Sequence, residues 1–400
     1  MIADRVRDGD IKPFMKPLRI LHVVGSMTRG GIETWLMHIL RHIDRNRFQI
    51  DILVHTDQPA PYDNEVRALG SRILRCSHTR NPLLYAARFL RVIAQTGPFD
   101  VLHSHVTNLN GFVLALGRIG GIPVRIAHSH LDTPPEDLEA RLGRRIYLDA
   151  MARLIRTQCT DGLAASELAA AAMFGPDRGT DRRFRILHCG IDLAPFRSPA
   201  DPAAVRGEFG FSTEDTIFGH VGRFDAQKNH AFLADIAAEI AQREPRARFL
   251  LVGEGPLRPS IEGRFRNLGI GDRTVFVGSR PDVPRLMLGA MDKFLFPSLY
   301  EGLGLVLVEA QAANLPSIVS DKVPAEAIVV PSLVRSVSLG KPAAVWAESA
   351  LRQGEHAPCA LAEVERSPFN ISVSVEALTR VYCKQAPCQK QQRQAPVSTR

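Results

Sequence analysis

Long uncharged runs are missing from this 400-residue chain. No stretch of about 18 apolar residues without a charge occurs, the least a membrane-crossing helix needs, and residues 1–17 mix acids and bases without the apolar centre of an export signal. Cysteine is scarce: Cys76, Cys159, Cys189, Cys359, Cys383 and Cys388 include no C-x2-C pair. That spacing offers neither a zinc ribbon nor a disulfide framework, and a reducing cytoplasm is the expected compartment. Helix-turn-helix patterning, zinc-finger spacing and aromatic RNP-like runs are absent too, so nucleic acid is not an expected partner.

What is present is an ordinary globular composition, 45% hydrophobic and 23% charged, which excludes a disordered chain. The length fits two domains. The net charge of +8 comes mostly from arginine, whose fork suits phosphate and carboxylate, and points to an anionic ligand or surface. Short β-rich runs at 18–25, 48–55, 72–76, 100–105 and 124–130 alternate with helical patterns, the first helix carrying Leu36, Ile39, Leu40 and Ile43 on one face. A second series follows at 216–223, 248–253, 274–278, 293–297 and 317–321. Such alternation predicts parallel sheets covered on both faces. The expectation is therefore α/β, with two doubly wound Rossmann-like domains facing across a cleft. They are placed at 18–195 and 196–382, with the proline-bearing segment 192–208 as linker, a flexible segment at 1–17 and a disordered tail at 383–400.

Ligands of such sheets sit beyond the carboxyl ends of strands, and chemistry-bearing residues cluster there. Gly25 to Glu33 is a glycine-rich turn opening a helix, able to hold an anion on Gly30 and Gly31, though it is not a G-x-G-x-x-G fingerprint. Arg223 and Lys228 follow the first strand of the second series, two cations placed to neutralise a diphosphate. Glu301, Gly302, Leu303, Gly304 and Leu305 form a strand-to-helix loop, and Glu309 falls inside the following apolar helix, where a carboxylate needs a hydrogen-bonding partner. Asn314 and Pro316 mark the end of that helix.

These motifs, Gly30-Gly31-x-Glu33, Arg223-x4-Lys228 and Glu301-x7-Glu309 with the segment 310–321 after it, resemble those of the retaining nucleotide-sugar glycosyltransferases of family 4, which have the GT-B fold. The resemblance spans roughly 19–382 and looks most like bacterial exopolysaccharide or capsule members. It implies transfer of a hexosyl unit from a UDP-sugar, GDP being the next choice, to a glycan or lipid-linked acceptor, with retention and without cofactor or metal. It further implies that Arg223 and Lys228 contact the donor diphosphate, Glu309 the ribose hydroxyls and Glu301 the transferred sugar. Backbone of Gly31 and of 302–305 would complete the phosphate cradle, Ser279 in the loop 278–280 would lie near the base, and His128 would be the active-site histidine. The acceptor-binding half would be the first and the donor-binding half the second.

Two other readings have residues behind them. His103-x-His105 and His128-x-His130 each place two imidazoles on one side of a strand, a spacing that metal-dependent hydrolases use. A non-catalytic nucleotide-sugar-binding protein is the other, although Arg223, Lys228 and Glu309 are all present. The only Asp-x-Asp, Asp8-Gly9-Asp10, precedes the first strand and makes a poor metal site. Residues 141–156 carry Arg141, Arg144, Arg145, Arg153 and Arg156 among Leu142, Ile146, Tyr147, Met151, Leu154 and Ile155, a basic amphipathic pattern suited to an anionic membrane surface. A peripheral position on the inner face of the plasma membrane is expected from it.

Overall fold

A computed structural model of the chain describes residues 16–385 except 78, 80, 131–141, 176–178, 180, 353 and 355. The Asp8–Asp10 pair, Arg141, most of the N-terminal segment and the tail from 386 lie outside the described residues.

Strands β1 (Leu18–Val24), β2 (Phe48–Val54), β3 (Ile73–Arg75), β4 (Val101–Ser104), β5 (Val124–Ser129), β6 (Asp161–Ala164) and β7 (Phe184–Ile186) form one parallel sheet ordered 3-2-1-4-5-6-7. A second parallel sheet, ordered 10-9-8-11-12-13, holds β8 (Thr216–Val221), β9 (Ala247–Val252), β10 (Thr274–Phe276), β11 (Lys293–Phe296), β12 (Ser317–Ser320) and β13 (Val334–Val337). Strands β1, β4 and β12 are buried along most of their length, as parallel strands covered on both faces must be. The ten expected strands all form. The sequence reading missed β6, β7 and β13, which are three or four residues long and interrupted by Gly162, Arg185 and Ser336; their extension is imposed by the neighbours they pair with.

Helices α1 (Gly31–His42), α2 (Asp63–Ala68), α3 (Pro82–Thr96), α4 (Asn110–Ile119), α5 (Leu142–Gln158) and α6 (Glu167–Phe174) serve the first sheet. The second has α7 (Pro202–Gly207), α8 (His230–Arg243), α9 (Arg258–Asn267), α10 (Val283–Gly289), α11 (Leu305–Ala312), α12 (Ala343–Leu351) and α13 (Ala360–Arg366). The segment read as a linker carries a 3-10 turn (Ala194–Arg197) and α7. Pro195 and Pro202 start a 3-10 turn and α7, where a missing N–H costs nothing, and the Asp201 carboxylate caps Ala203 N at 3.0 Å.

The last helix, α14 (Ile371–Gln385), returns to the first domain and packs on α1, so it follows the second sheet in sequence but belongs to the first in space. Trp35 Nε1 donates to Ser374 Oγ at 3.1 Å, and Tyr382 is fully buried beneath β1 and β4. The two crossings between domains pair with each other, Ile191 N donating to Phe369 O at 2.8 Å and Ile371 N to Ile191 O at 3.1 Å. Gly190 permits this approach, because a Cβ there would stand 2.7 Å from Ile371 Cα.

Both sheets reverse strand order once, between β1 and β4 and between β8 and β11. A crevice opens at such a reversal, outside the carboxyl ends of the two strands.

Candidate active site

Gly30, Gly31, Arg223, Lys228 and the 301–305 loop, picked from the sequence, follow strands that border those crevices. Arg223 and Lys228 follow β8, while Glu301 and the Gly302–Gly304 turn follow the adjacent β11. The two loops are laced together: Leu299 N donates to Gln227 O at 2.8 Å, Asn229 Nδ2 to Pro297 O at 3.2 Å and Gln227 Nε2 to Tyr300 O at 3.0 Å. Lys228 Nζ meets Glu301 Oε1 at 2.5 Å and stands 4.9 Å from the centre of the Phe296 ring. Glu301 is 5% exposed. Arg223 differs: its side chain is 68% exposed and its nearest carboxylate, Asp225, is 3.8 Å away. One cation is thus engaged and the other is extended into solvent.

Gly304 has φ +83, the left-handed region that glycine enters at little cost, and it turns the chain from β11 into α11. In the first turn of α11 Leu307 N donates to Gly304 O at 2.8 Å, which leaves the N–H groups of Leu305 and Val306 without an acceptor in the helix. Its far end matches the sequence reading, with Asn314 at φ +59. Glu309 lies in the middle of α11, half-buried, and no hydrogen bond or ion pair reaches its carboxylate among the described residues. Burial alone pushes its pKa up to about 7. A carboxylate in that state is short of donors, and hydroxyls would supply them.

Across the crevice, Gly30 caps α1 and Glu33 folds back over it, such that a Cβ at Gly30 would collide with the Glu33 carboxylate. Burial raises Glu33 to about 7, against a backbone hydrogen bond and the field of Arg223, which both lower it. Arg223 of the second domain therefore acts on a carboxyl of the first. The sequence reading quoted Glu33 in its motif without giving it a role. Direct contacts also close the gap: Arg29 Nη1 reaches Ser279 O at 3.4 Å, Ser166 Oγ donates to Gly302 O at 2.5 Å, and Glu167 N donates to Glu326 Oε1 at 2.8 Å. Ser279 is thereby at the cleft, held through its backbone.

His128, expected as the active-site histidine, lies near the carboxyl end of β5. It is fully buried, its ring 5.2 Å from that of Trp35, and its Nε2 has no hydrogen-bond partner among the described residues. Alternation along the strand puts His130 on the same side and two residues nearer the edge, half-buried just past the end of β5. His22, His103, His105, His128 and His130 stack together there, a cluster of which the sequence reading saw only the two His-x-His pairs. One ring nitrogen from each of His105, His128 and His130 lies within 4.8 Å of the others, as it does for His22, His103 and His105.

A cavity of 540 Å³ lined by Thr216, Asp292, Lys293 and Asn314 opens at the amino ends of β8 and β11, opposite the loops above. None of the candidate residues lines it.

Residues 29–195 match the model of a family described as Glycosyltransferase Family 4, and residues 203–336 that of Glycosyl transferases group 1. EpsF of Bacillus subtilis (strain 168), which carries a glycosyltransferase name, is 36% identical over 338 residues, 84% of this chain and 87% of EpsF. An Escherichia coli UDP-Gal:alpha-D-GlcNAc-diphosphoundecaprenol alpha-1,3-galactosyltransferase is 23% identical over 76% of this chain and 79% of its own length. Among solved structures, Anabaena Alr3699/HepE in complex with UDP-glucose superimposes with a TM-score of 0.74 at 19% identity, covering 92% of this chain and all of that one. Together they give the fold as GT-B.

Proposed function

The chain belongs to the family 4 glycosyltransferases, with relatives in Salmonella typhi and Staphylococcus aureus named for polysaccharide biosynthesis, and we propose that it moves a hexosyl unit from a UDP-sugar to a hydroxyl of a glycan or lipid-linked acceptor, with retention. The observation that carries this reading is the grouping of Arg223, Lys228, Glu301 and the start of α11 at the β8–β11 reversal, with the unpartnered Glu309 behind them. In it, Arg223, Lys228 and the first-turn N–H groups of α11 bind the diphosphate, Glu309 accepts from the ribose hydroxyls, and Glu301 meets the sugar. The bond from the anomeric carbon to the diphosphate oxygen breaks as the acceptor oxygen bonds to that carbon on the same face. The acceptor's proton goes to the departing diphosphate. Two cations and a helix terminus stabilise the charge that develops on the leaving group, and no metal is assigned a part.

The UDP complexes of the Anabaena neighbour and the UDP-Gal named for the Escherichia coli relative support the choice of nucleotide. Docking on an anionic membrane surface is a further part of the proposal. Leu142, Ile146 and Tyr147 are exposed on α5 beside Arg144, Arg145 and Arg153, and no helix among the described residues is long and apolar enough to cross a membrane. The decisive experiment is a panel of nucleotide sugars assayed for nucleotide release with and without bacterial membrane extract. Release of UDP that depends on the extract, with the product's anomeric configuration matching the donor's, is expected. Binding of UDP-sugar with no turnover under any acceptor would favour the non-catalytic reading.

A further inference from the structure

Five imidazoles of the first domain, four of them buried and His130 half-buried, are joined end to end through Tyr382. Cys189 Sγ lies 3.6 Å from His130 Nδ1, His130 Nε2 lies 2.8 Å from His105 Nδ1, and His105 Nε2 lies 2.9 Å from His22 Nδ1. His22 Nε2 is 3.1 Å from the Tyr382 hydroxyl, which is 2.8 Å from His103 Nδ1, and His103 Nε2 is 3.1 Å from His128 Nδ1. Each ring nitrogen has one partner in this chain except His128 Nε2, which is buried without one. Burial lowers all five imidazoles, His22 and His130 to about 3, so the rings are neutral and each carries one proton.

One proton per group has a consequence. A contact between two ring nitrogens holds a single proton, so a ring that donates on one side must accept on the other. Tyr382 is fully buried, with no partners among the described residues beyond His22 and His103, and its hydroxyl hydrogen must enter one of those two contacts. The chain therefore runs in one of two directions, and all of its members turn over together. His130 is the member at the carboxyl edge of the sheet, and the direction decides whether its Nδ1 offers a proton or a lone pair. The thiol of Cys189 is a weak partner, which a sugar or acceptor hydroxyl entering from the cleft could replace.

We propose that Tyr382, supplied by the C-terminal helix, is a positioning residue for His130. Its hydroxyl joins the two halves of the chain and so ties the tautomer that His130 presents to a substrate hydroxyl to the far end, where the unpartnered His128 Nε2 is better left as a lone pair than as a buried N–H. The tautomer statement stands on the chain of contacts and the burial that keeps its rings neutral; its effect on transfer rests on the glycosyltransferase reading above.

The test uses the full chain with 15N-labelled histidine. Tyr382→Phe removes only the oxygen, and Ser374→Ala is the control, because it deletes another hydrogen bond that docks the same helix and leaves the chain of rings intact. Long-range 1H–15N spectra should show one fixed tautomer at His130 in the unsubstituted protein and in Ser374→Ala, and a mixture in Tyr382→Phe. Donor turnover should fall roughly ten- to a hundred-fold in Tyr382→Phe, the range for a misplaced group near the chemistry, with the donor KM unchanged. Unaltered tautomers in Tyr382→Phe would overturn the proposal, as would equal losses in the two variants, which would leave Tyr382 as a docking residue. Stoichiometric zinc in the purified protein would overturn it too, since His105, His128 and His130 would then be ligands. Tautomers that shift in a protein without transfer activity would refute the glycosyltransferase reading and keep the chain of rings.

Discussion

Lys228 Nζ and Glu301 Oε1 stand 2.5 Å apart, so the cation assigned to the donor diphosphate and the carboxylate assigned to its sugar neutralise each other directly. The pair must loosen for Lys228 to engage a phosphate. Its two halves should accordingly respond in opposite ways to substitution. Glu301→Gln frees the ammonium, so UDP affinity should hold or rise while turnover falls. Lys228→Ala leaves a nearly buried carboxylate without its cation, a change that costs about 3 kcal/mol of stability, at the lower end of the range because Gln227 Nε2 stays near it at 3.4 Å. Urea unfolding and UDP calorimetry on both variants measure the split.

Arg223 is the extended cation, and its loss should be felt mainly by the ligand. Arg223→Ala should weaken UDP binding by about 1.5 to 3 kcal/mol, the worth of a charge-assisted hydrogen bond, and leave stability nearly unchanged because the side chain is 68% exposed. It should also move Glu33 further up from about 7, since the guanidinium field is one of the effects that hold it down. Carboxyl titration followed by 13C NMR checks the second effect independently of any ligand.

Much of this was legible in the sequence, for a physical reason. Parallel strands buried on both faces are near-continuous apolar runs, and their ligand loops follow them, so the positions of Arg223, Glu301 and Glu309 could be placed from the runs alone. Residues brought together by non-local packing could not. Tyr382 is 360 positions from His22, and nothing in the helical pattern of 371–385 says that this helix crosses back to the first sheet. His128 and His130 show the same limit at short range: strand alternation puts both on one side, but their packing against the Trp35 ring of α1, at 5.2 and 5.8 Å, is a contact between elements that no local pattern announces.

The α5 surface makes a prediction separate from the chemistry. Leu142 and Ile146 are 74% and 60% exposed beside Arg144 and Arg145, an apolar and basic combination that favours anionic headgroups. Flotation with phosphatidylglycerol vesicles should recover the protein and should fall as salt rises, because surface attraction is screened. Arg144→Glu with Arg145→Glu should abolish flotation and preserve UDP affinity, the proposed nucleotide site being in the other domain. Equal recovery on neutral vesicles would show that the arginines play no part.

Glu309 makes stability and affinity depend on pH in opposite senses. In the unfolded chain a glutamate titrates near 4.5, and in the folded protein burial raises this one to about 7. Between those values the folded state binds more protons than the unfolded state, so the contribution of Glu309 to stability is largest below pH 4.5 and is lost as pH rises towards 7. Ribose hydroxyls donate to a carboxylate better than to a neutral carboxyl. Ligand affinity should therefore rise over the same approach to neutrality, until the group is fully ionised. Uridine is the suitable probe, because it carries the ribose without a phosphate that titrates in this range. Calorimetry from pH 5.5 to 8.5 should show its affinity climbing through about 7 in the unsubstituted protein. The profile should be flat in Glu309→Gln, whose amide neither titrates nor carries the charge. Glu33 also titrates near 7, so Glu33→Gln is the necessary control. If that variant flattens the profile and Glu309→Gln does not, the ribose lies against α1 and the assignment of Glu309 fails.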